Sequence, residues 1–191
     1  MNQSITNKCS INYRQRQKMF IYNFFFKKKE VKPLIIGLEG SGKSSFLHRI
    51  MYNEFVYETK EPLIVSGSNQ FIFENHQAKF DVVDLKGDKK SRELWKNYFD
   101  SIDIVVFAVD TKDVDKFEEV KKVLHETLLN IDSSIPILIL GTKSDLNGVK
   151  EDELIEKLKL KDLKQKTVDV ILTSSKTTES VLDVTDWMVS F

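Results

Sequence analysis

The octapeptide Gly37-Leu38-Glu39-Gly40-Ser41-Gly42-Lys43-Ser44 constrains this chain more than any other stretch, because it matches the pattern GxxxxGK[ST]. It follows the apolar run Leu34–Ile36 and opens a helical pattern over 43–53, so it lies between a predicted strand and a predicted helix. That is the context the pattern requires. Glycines let such a loop turn tightly and aim N–H groups inward, and the helix N-terminus adds the positive end of its dipole. The result is a cradle for phosphate oxygens. Lys43 would neutralise β/γ oxygens, and the Ser44 hydroxyl would ligate Mg²⁺.

A strand–loop–helix unit of this kind belongs in a larger sheet. Apolar runs recur at Leu34–Ile36, Phe71–Phe73, Phe80–Val83, Ile102–Val109, Ile135–Leu140 and Val168–Leu172. They are short, rich in β-branched residues and bounded by turn residues, as buried strands are. Helical patterns over 43–53, 92–100, 114–130, 151–159 and 178–190 lie between them. Along 114–130 and into the next residue, Val120, Val123, Leu124, Leu128 and Ile131 recur at helical spacing. This alternation predicts an α/β fold, a six-stranded, mostly parallel sheet with helices on both faces. The 69–83 pair, joined through Glu74-Asn75-His76, predicts a hairpin and one antiparallel edge.

Two further segments complete a candidate site. Val82-Val83-Asp84 ends a strand with a carboxylate suited to Mg²⁺, through water, with Gly87 three residues on. An aspartate after a strand is commonly a turn residue, and its place after the phosphate loop favours the metal role. Later, Ile137–Leu140 leads into Thr142-Lys143-Ser144-Asp145. This resembles the [NT]KxD loop of guanine-binding P-loop proteins. A carboxylate accepts hydrogen bonds from guanine N1–H and the 2-amino group, whereas adenine would leave Asp145 charged and unpaired. Loss of a required hydrogen bond discriminates by about 10⁴ or more. The Lys143 stem can lie along the purine face, and Thr142 would tie this loop to the phosphate loop. Ser174-Ser175-Lys176 resembles the SAK loop, whose backbone N–H meets guanine O6.

Residues 84–110 carry a narrower resemblance. Arg92, Leu94-Trp95 and Tyr98-Phe99 are similar to switch II and the following strand of Arf and Arf-like small GTPases, and Gly37-Leu38-Glu39 is similar to their phosphate-loop opening. The resemblance covers about 31–191. It implies GTP/GDP binding with Mg²⁺, GTP hydrolysis, and a molecular switch in vesicle trafficking. It implies nucleotide contacts from Glu39, Gly40, Ser41, Gly42, Lys43, Ser44 and Ser45, from Gly87, and from Thr142, Lys143, Asp145, Ser174, Ser175 and Lys176. Trp95 and Tyr98 are either plain core or the partly exposed switch aromatics that meet effectors in the family.

The pattern breaks where the γ-phosphate would be sensed. The family carries DxxGQ, its glutamine positioning water; this chain reads Asp84-Leu85-Lys86-Gly87-Asp88. Asp88, beside Gly87 at the catalytic position, is expected to face the γ-phosphate and to position water poorly unless its pKa is raised. The family's switch I threonine is also missing. Leu63 follows Pro62, the register counted back from Asp84 lands on Val65, and Thr59, Ser66 and Ser68 are the remaining hydroxyls. Slow hydrolysis follows as the expectation. The alternatives are a GTP-binding scaffold without an efficient cycle, and a P-loop ATPase or kinase, which the base-loop residues oppose.

Net charge is zero overall, but residues 1–32 carry eight Lys/Arg and one acid, Glu30. The expected division is a basic, aromatic tail over 1–30 and a nucleotide-binding domain over 31–191. With Asn2 at the second position and no prenylation box at the end of the sequence, neither myristoyl nor prenyl attachment is expected. The aromatic block Met19–Phe26, flanked by Arg14, Arg16, Lys18 and Lys27–Lys29, suits an anionic membrane surface better than nucleic acid. Packing of Phe24–Phe26 on the domain is the other reading. Cys9, the sole cysteine, allows no internal disulfide, which fits the cytoplasm. A monomer peripherally associated with membrane is expected, with an exchange factor, an activating protein and effectors as partners. His48, His76 and His125 have no metal-ligand spacing and are expected to be structural.

Overall fold

The computed structural model describes residues 28–52, 58–59, 63–65, 68–75, 77–177 and 179–191, with backbone alone at 58–59, 63–65 and 179. The tail as far as Lys27, and Ser66, lie outside the described residues.

All six apolar runs form strands. In chain order the strands are β1 (Lys29–Val31), β2 (Pro33–Gly37), β3 (Glu58–Thr59), β4 (Leu63–Val65), β5 (Ser68–Glu74), β6 (Ala78–Leu85), β7 (Ile104–Asp110), β8 (Ile137–Thr142) and β9 (Val168–Leu172). The sheet order is β3-β5-β6-β2-β7-β8-β9, with β1 on β6 and β4 on β5. The described sheet thus has nine strands rather than six. The extra three, β1, β3 and β4, are two or three residues long, too short to show a period. Pairing is parallel from β6 through β2, β7 and β8 to β9, and antiparallel between β5 and β6. The expected hairpin is present, its turn held by the Asn75 side chain accepting from the Gln77 and Ala78 N–H groups.

β1 and β2 are one strand in a single register. Lys29 pairs with Ala78 and Leu34 with Val83, the same offset. The break falls at Lys32-Pro33, because proline has no N–H to donate. Lys32 donates instead to the Asp103 carboxylate at 2.8 Å. Lys29 and Glu30, assigned above to the tail, therefore already belong to the sheet.

The α-helices among the described residues are α1 (Lys43–Met51), α2 (Phe117–Leu128), α3 (Glu151–Lys157) and α4 (Glu179–Val189). Alternate residues of β7 face opposite layers, which is why it reads as an unbroken apolar run. Val106 joins Phe46 and Leu47 of α1 and Val184 and Met188 of α4. Val105, Phe107 and Val109 join Phe117, Val120 and Leu124 of α2 and Leu154 of α3. Full burial of one such side chain contributes about 1.5–3 kcal/mol. Two predicted helices are altered. The 92–100 segment is a 3-10 helix over Ser91–Ser101, and 114–116 is a 3-10 turn leading into α2. His125 of α2 shares a hydrogen bond with the Leu158 carbonyl at 2.9 Å, tying α2 to the end of α3.

Candidate nucleotide-binding site

The C-terminal ends of β2, β6, β7, β8 and β9 bring the predicted residues together, at the edge of a parallel sheet where α/β folds bind ligands. The phosphate loop leaves β2 and enters α1 through Gly42, whose φ of 84° lies in the left-handed region. A Cβ there would also sit 3.1 Å from the Thr142 hydroxyl, so only glycine fits both demands. Lys43 is buried. Its Nζ donates to the carbonyls of Gly37 and Leu38 at 3.1 and 2.9 Å and approaches Ser41 Oγ at 3.3 Å. Burial holds its pKa below the ordinary lysine value, while Asp84 pulls it back up. Glu39, Gly40, Ser44 and Ser45 remain exposed along the loop.

Asp84 lies at the end of β6, only 3 % exposed. Ser44 Oγ donates to its Oδ2 at 3.1 Å, and its Oδ1 is buried without a partner among the described residues. Burial raises the Asp84 pKa, and Lys43 and Ser44 oppose that shift. A buried carboxylate oxygen left over beside a serine hydroxyl is a hard oxygen donor set, which fits Mg²⁺ and its waters.

The base loop is tied to the phosphate loop at two points. Thr142 Oγ1 donates to the Ser41 carbonyl at 2.7 Å, and Lys143 Nζ donates to the Gly40 carbonyl at 3.0 Å. Asp145 stands at the open end. Its Oδ1 accepts from Ser174 Oγ at 2.8 Å and its Oδ2 from Lys176 Nζ at 2.6 Å. These contacts, Lys176 first, hold its pKa below the ordinary aspartate value. The two loops are fastened by the Thr173 N–H to the Gly141 carbonyl at 2.7 Å and the Ser144 N–H to the Thr173 carbonyl at 3.2 Å. Ser175 and Lys176 are exposed, and with Ser45, Phe46, Lys143 and Asp145 they line a cleft of about 200 Å³.

Switch II differs from expectation. The Asp88 carboxylate is turned onto the segment that follows it. It accepts from the Lys90 and Ser91 N–H groups at 3.1 and 3.0 Å and from Ser91 Oγ at 2.6 Å. The Ser91 contacts keep its pKa lowered, not raised. An aspartate so placed caps the start of a helix. Gly87 packs against the phosphate loop so closely that a Cβ would lie 2.2 Å from the Gly37 carbonyl oxygen. Arg92 Nε donates to the Gly87 carbonyl at 2.8 Å, and Trp95 Nε1 donates to the Lys86 carbonyl at 2.9 Å. Trp95 is core: it is 2 % exposed and meets Phe107 edge-on. Tyr98 is half-buried and donates to Ser68 Oγ at 3.0 Å. Ser68, one of the switch I hydroxyls, is thereby engaged inside β5. Thr59, Leu63 and Val65 are described by backbone only.

Sequence reasoning missed the end of β7. Asp110 pairs with Lys143, and the buried Thr111 donates through Oγ1 to the Thr142 carbonyl at 2.9 Å. Neither residue carries a motif of its own.

Comparison with known proteins agrees with this geometry. The family model for the ADP-ribosylation factor (Arf) family matches residues 17–191. ADP-ribosylation factor F of Dictyostelium discoideum is 31% identical over 174 residues, covering 89% of this chain and 90% of that protein. ADP-ribosylation factor K of the same organism is 28% identical over 172 residues, covering 89% of each. Among solved structures, the Arl6 (BBS3) small GTPase of Trypanosoma brucei with bound nucleotide analogue GppNp is similar, with a TM-score of 0.73 and 27% identity. That match covers 85% of this chain and 96% of the other. With its phosphate loop, base loop and sheet arranged as above, this chain belongs to the ADP-ribosylation factor family of GTP-binding small GTPases.

Proposed function

We propose that this Arf-family nucleotide switch hydrolyses GTP slowly and acts at membranes in vesicle trafficking. The observation that carries slow hydrolysis is Asp88. Its carboxylate is taken up by Ser91 and the Lys90 N–H, whereas a water-positioning group must be free to reach the attacking water. In this reading Gly40–Ser45 and Lys43 hold the phosphates, with Glu39 at the rim and the Gly87 N–H toward the γ-phosphate. Asp145 takes guanine N1–H and the 2-amine, the Lys143 stem and Thr142 shape the base pocket, and the Ser174–Lys176 loop meets O6. Ser44 and, through water, Asp84 would hold Mg²⁺. When bound, that ion neutralises phosphate charge.

The test is single-turnover GTP hydrolysis by the full chain, paired with chromatography of nucleotide released from freshly purified protein. Slow turnover with retained GTP is expected. Hydrolysis at a rate typical of the family, without a helper protein, refutes the slow-cycle reading. A complete lack of turnover would instead indicate a GTP-binding scaffold.

The membrane reading rests on the tail, expected over 1–30 but giving way to β1 from Lys29, ahead of the nucleotide-binding domain. Its basic residues and the aromatics of Met19–Phe26 suit an anionic leaflet on the cytoplasmic side, rather than nucleic acid. The chain would act as a monomer served by an exchange factor, an activating protein and effectors. Deleting residues 1–28 is expected to abolish sedimentation with anionic liposomes; undiminished sedimentation overturns this part.

A further inference from the structure

The phosphate loop and the base loop meet at a third segment, the C-terminal end of β7. Asp110 is the last residue of that strand. Both of its carboxylate oxygens are engaged: Oδ1 accepts from the Lys112 N–H at 2.9 Å, and Oδ2 accepts from Lys143 Nζ at 2.5 Å. Lys143 Nζ also donates to the Gly40 carbonyl at 3.0 Å. The Lys143 backbone lies at φ 58°, so its side chain leaves the loop from an uncommon conformation. Two acceptors on two different segments then fix where its stem runs. Thr111, the next residue, holds the same loop by its backbone. Its N–H donates to the Thr142 carbonyl at 3.1 Å, and its carbonyl accepts from the Val149 N–H at 3.0 Å. The end of β7 thus holds both the main chain of the base loop and its lysine.

We propose that Asp110 is a positioning residue for the nucleotide base, holding Lys143 along the cleft wall so that its stem makes the surface on which the purine face rests. This rests on the guanine-nucleotide reading of the site. A lysine stem is flexible, and its ammonium is strongly hydrated. Without Asp110, the Gly40 carbonyl is the acceptor left to it among the described residues, and hydrogen bonds to ionised partners are the stronger kind. The pair is partly sheltered, at 38% and 16% side-chain exposure for Lys143 and Asp110. Asp145 reads the edge of the base, whereas the stem touches its face. Asp110 therefore governs how long a purine stays, not which purine is chosen.

The experiment follows dissociation of ribose-labelled fluorescent GDP and IDP from the full chain, as wild type, Asp110→Asn, Lys143→Met and the double variant. IDP lacks the 2-amine that Asp145 reads. Asparagine keeps the shape of aspartate but has one acceptor oxygen for the two donors. Asp110→Asn is expected to speed release of both nucleotides about tenfold, with the GDP-to-IDP ratio as in wild type. In the Lys143→Met background it is expected to add less than about twofold. Wild-type release rates in Asp110→Asn, a changed GDP-to-IDP ratio, or the same tenfold acceleration in both backgrounds overturns the proposal. If Asp110→Asn does not fold, Lys143→Met decides, because it leaves the 110–112 turn intact; wild-type release from it overturns the link. A wild-type chain that retains neither nucleotide refutes the guanine reading, and a chain that retains both but ignores Asp110 refutes this inference alone.

Discussion

Asp84, beside the phosphate loop, and Asp145, at the end of the base loop, are held in opposite ways. Asp84 is buried, one of its oxygens has no partner among the described residues, and burial pushes its pKa up. Asp145 is exposed, both of its oxygens accept hydrogen bonds, and those bonds pull its pKa down. In the proposed function the spare Asp84 oxygen would serve a cation at the phosphate end. In the same proposal the base end would be pre-organised, its carboxylate held by Ser174 and Lys176. On that proposal, base recognition would use groups already in place, and phosphate recognition would call on a further positive charge.

The largest expected effect breaks the base end alone. Asp145→Asn replaces an all-acceptor group by one that also donates, which suits the 2-carbonyl of xanthine in place of the 2-amine of guanine. The preference for GDP over XDP should change by about 10⁴, measured by competition; unchanged preference would remove Asp145 from the base site. Next, Asp84→Asn should weaken Mg²⁺-dependent retention of GDP about 10- to 100-fold, with the GDP-over-XDP preference intact. Retention compared in Mg²⁺ and in EDTA checks this, and an equal loss in both would detach Asp84 from the cation.

Thr142 joins the two ends, so its loss should harm both. Thr142→Val keeps the shape but leaves the Ser41 carbonyl without its donor, costing about 1–3 kcal/mol in GDP affinity by titration calorimetry. The smallest effect concerns pH. The folded pKa of Asp145 is depressed, so the stabilisation it reflects is complete above the ordinary aspartate range and is lost as pH falls through the depressed value. Lys176→Ala removes the main cause of the depression. GDP affinity should then begin to fall at a higher pH than in wild type; superimposable pH profiles would show that Lys176 does not tune this carboxylate.

The candidate site was legible as a pattern where chemistry demands a fixed spacing. Gly37–Ser44 and Thr142–Asp145 could be read because phosphate and base each require particular groups at particular offsets along one strand end. The sheet was legible because β2, β7 and β8 are buried on both faces and read as apolar runs. Asp110 and Thr111 were not legible, since what they do depends on β8 lying beside β7, a contact between residues 31 apart. The direction of Asp88 was not legible either. An aspartate before Ser91 can face forward or back, and only the capping geometry decides. The 92–100 helix was correctly placed but is 3-10 in kind, a difference that apolar spacing does not encode.

The single register shared by β1 and β2 has a mechanical consequence. From Lys29 to Gly37 the chain runs straight through the sheet into the phosphate loop, interrupted only where Pro33 cannot donate. Lys28 is paired with Glu74 at 3.3 Å, and Lys29 Nζ donates to the Val189 carbonyl at 2.9 Å, clamping the entry to the ends of β5 and α4. Tension on the segment before Lys28 would run along this strand and load its parallel ladders in shear, many hydrogen bonds at once, rather than peel them singly. The last residue on that load path is Gly37, where the phosphate loop begins.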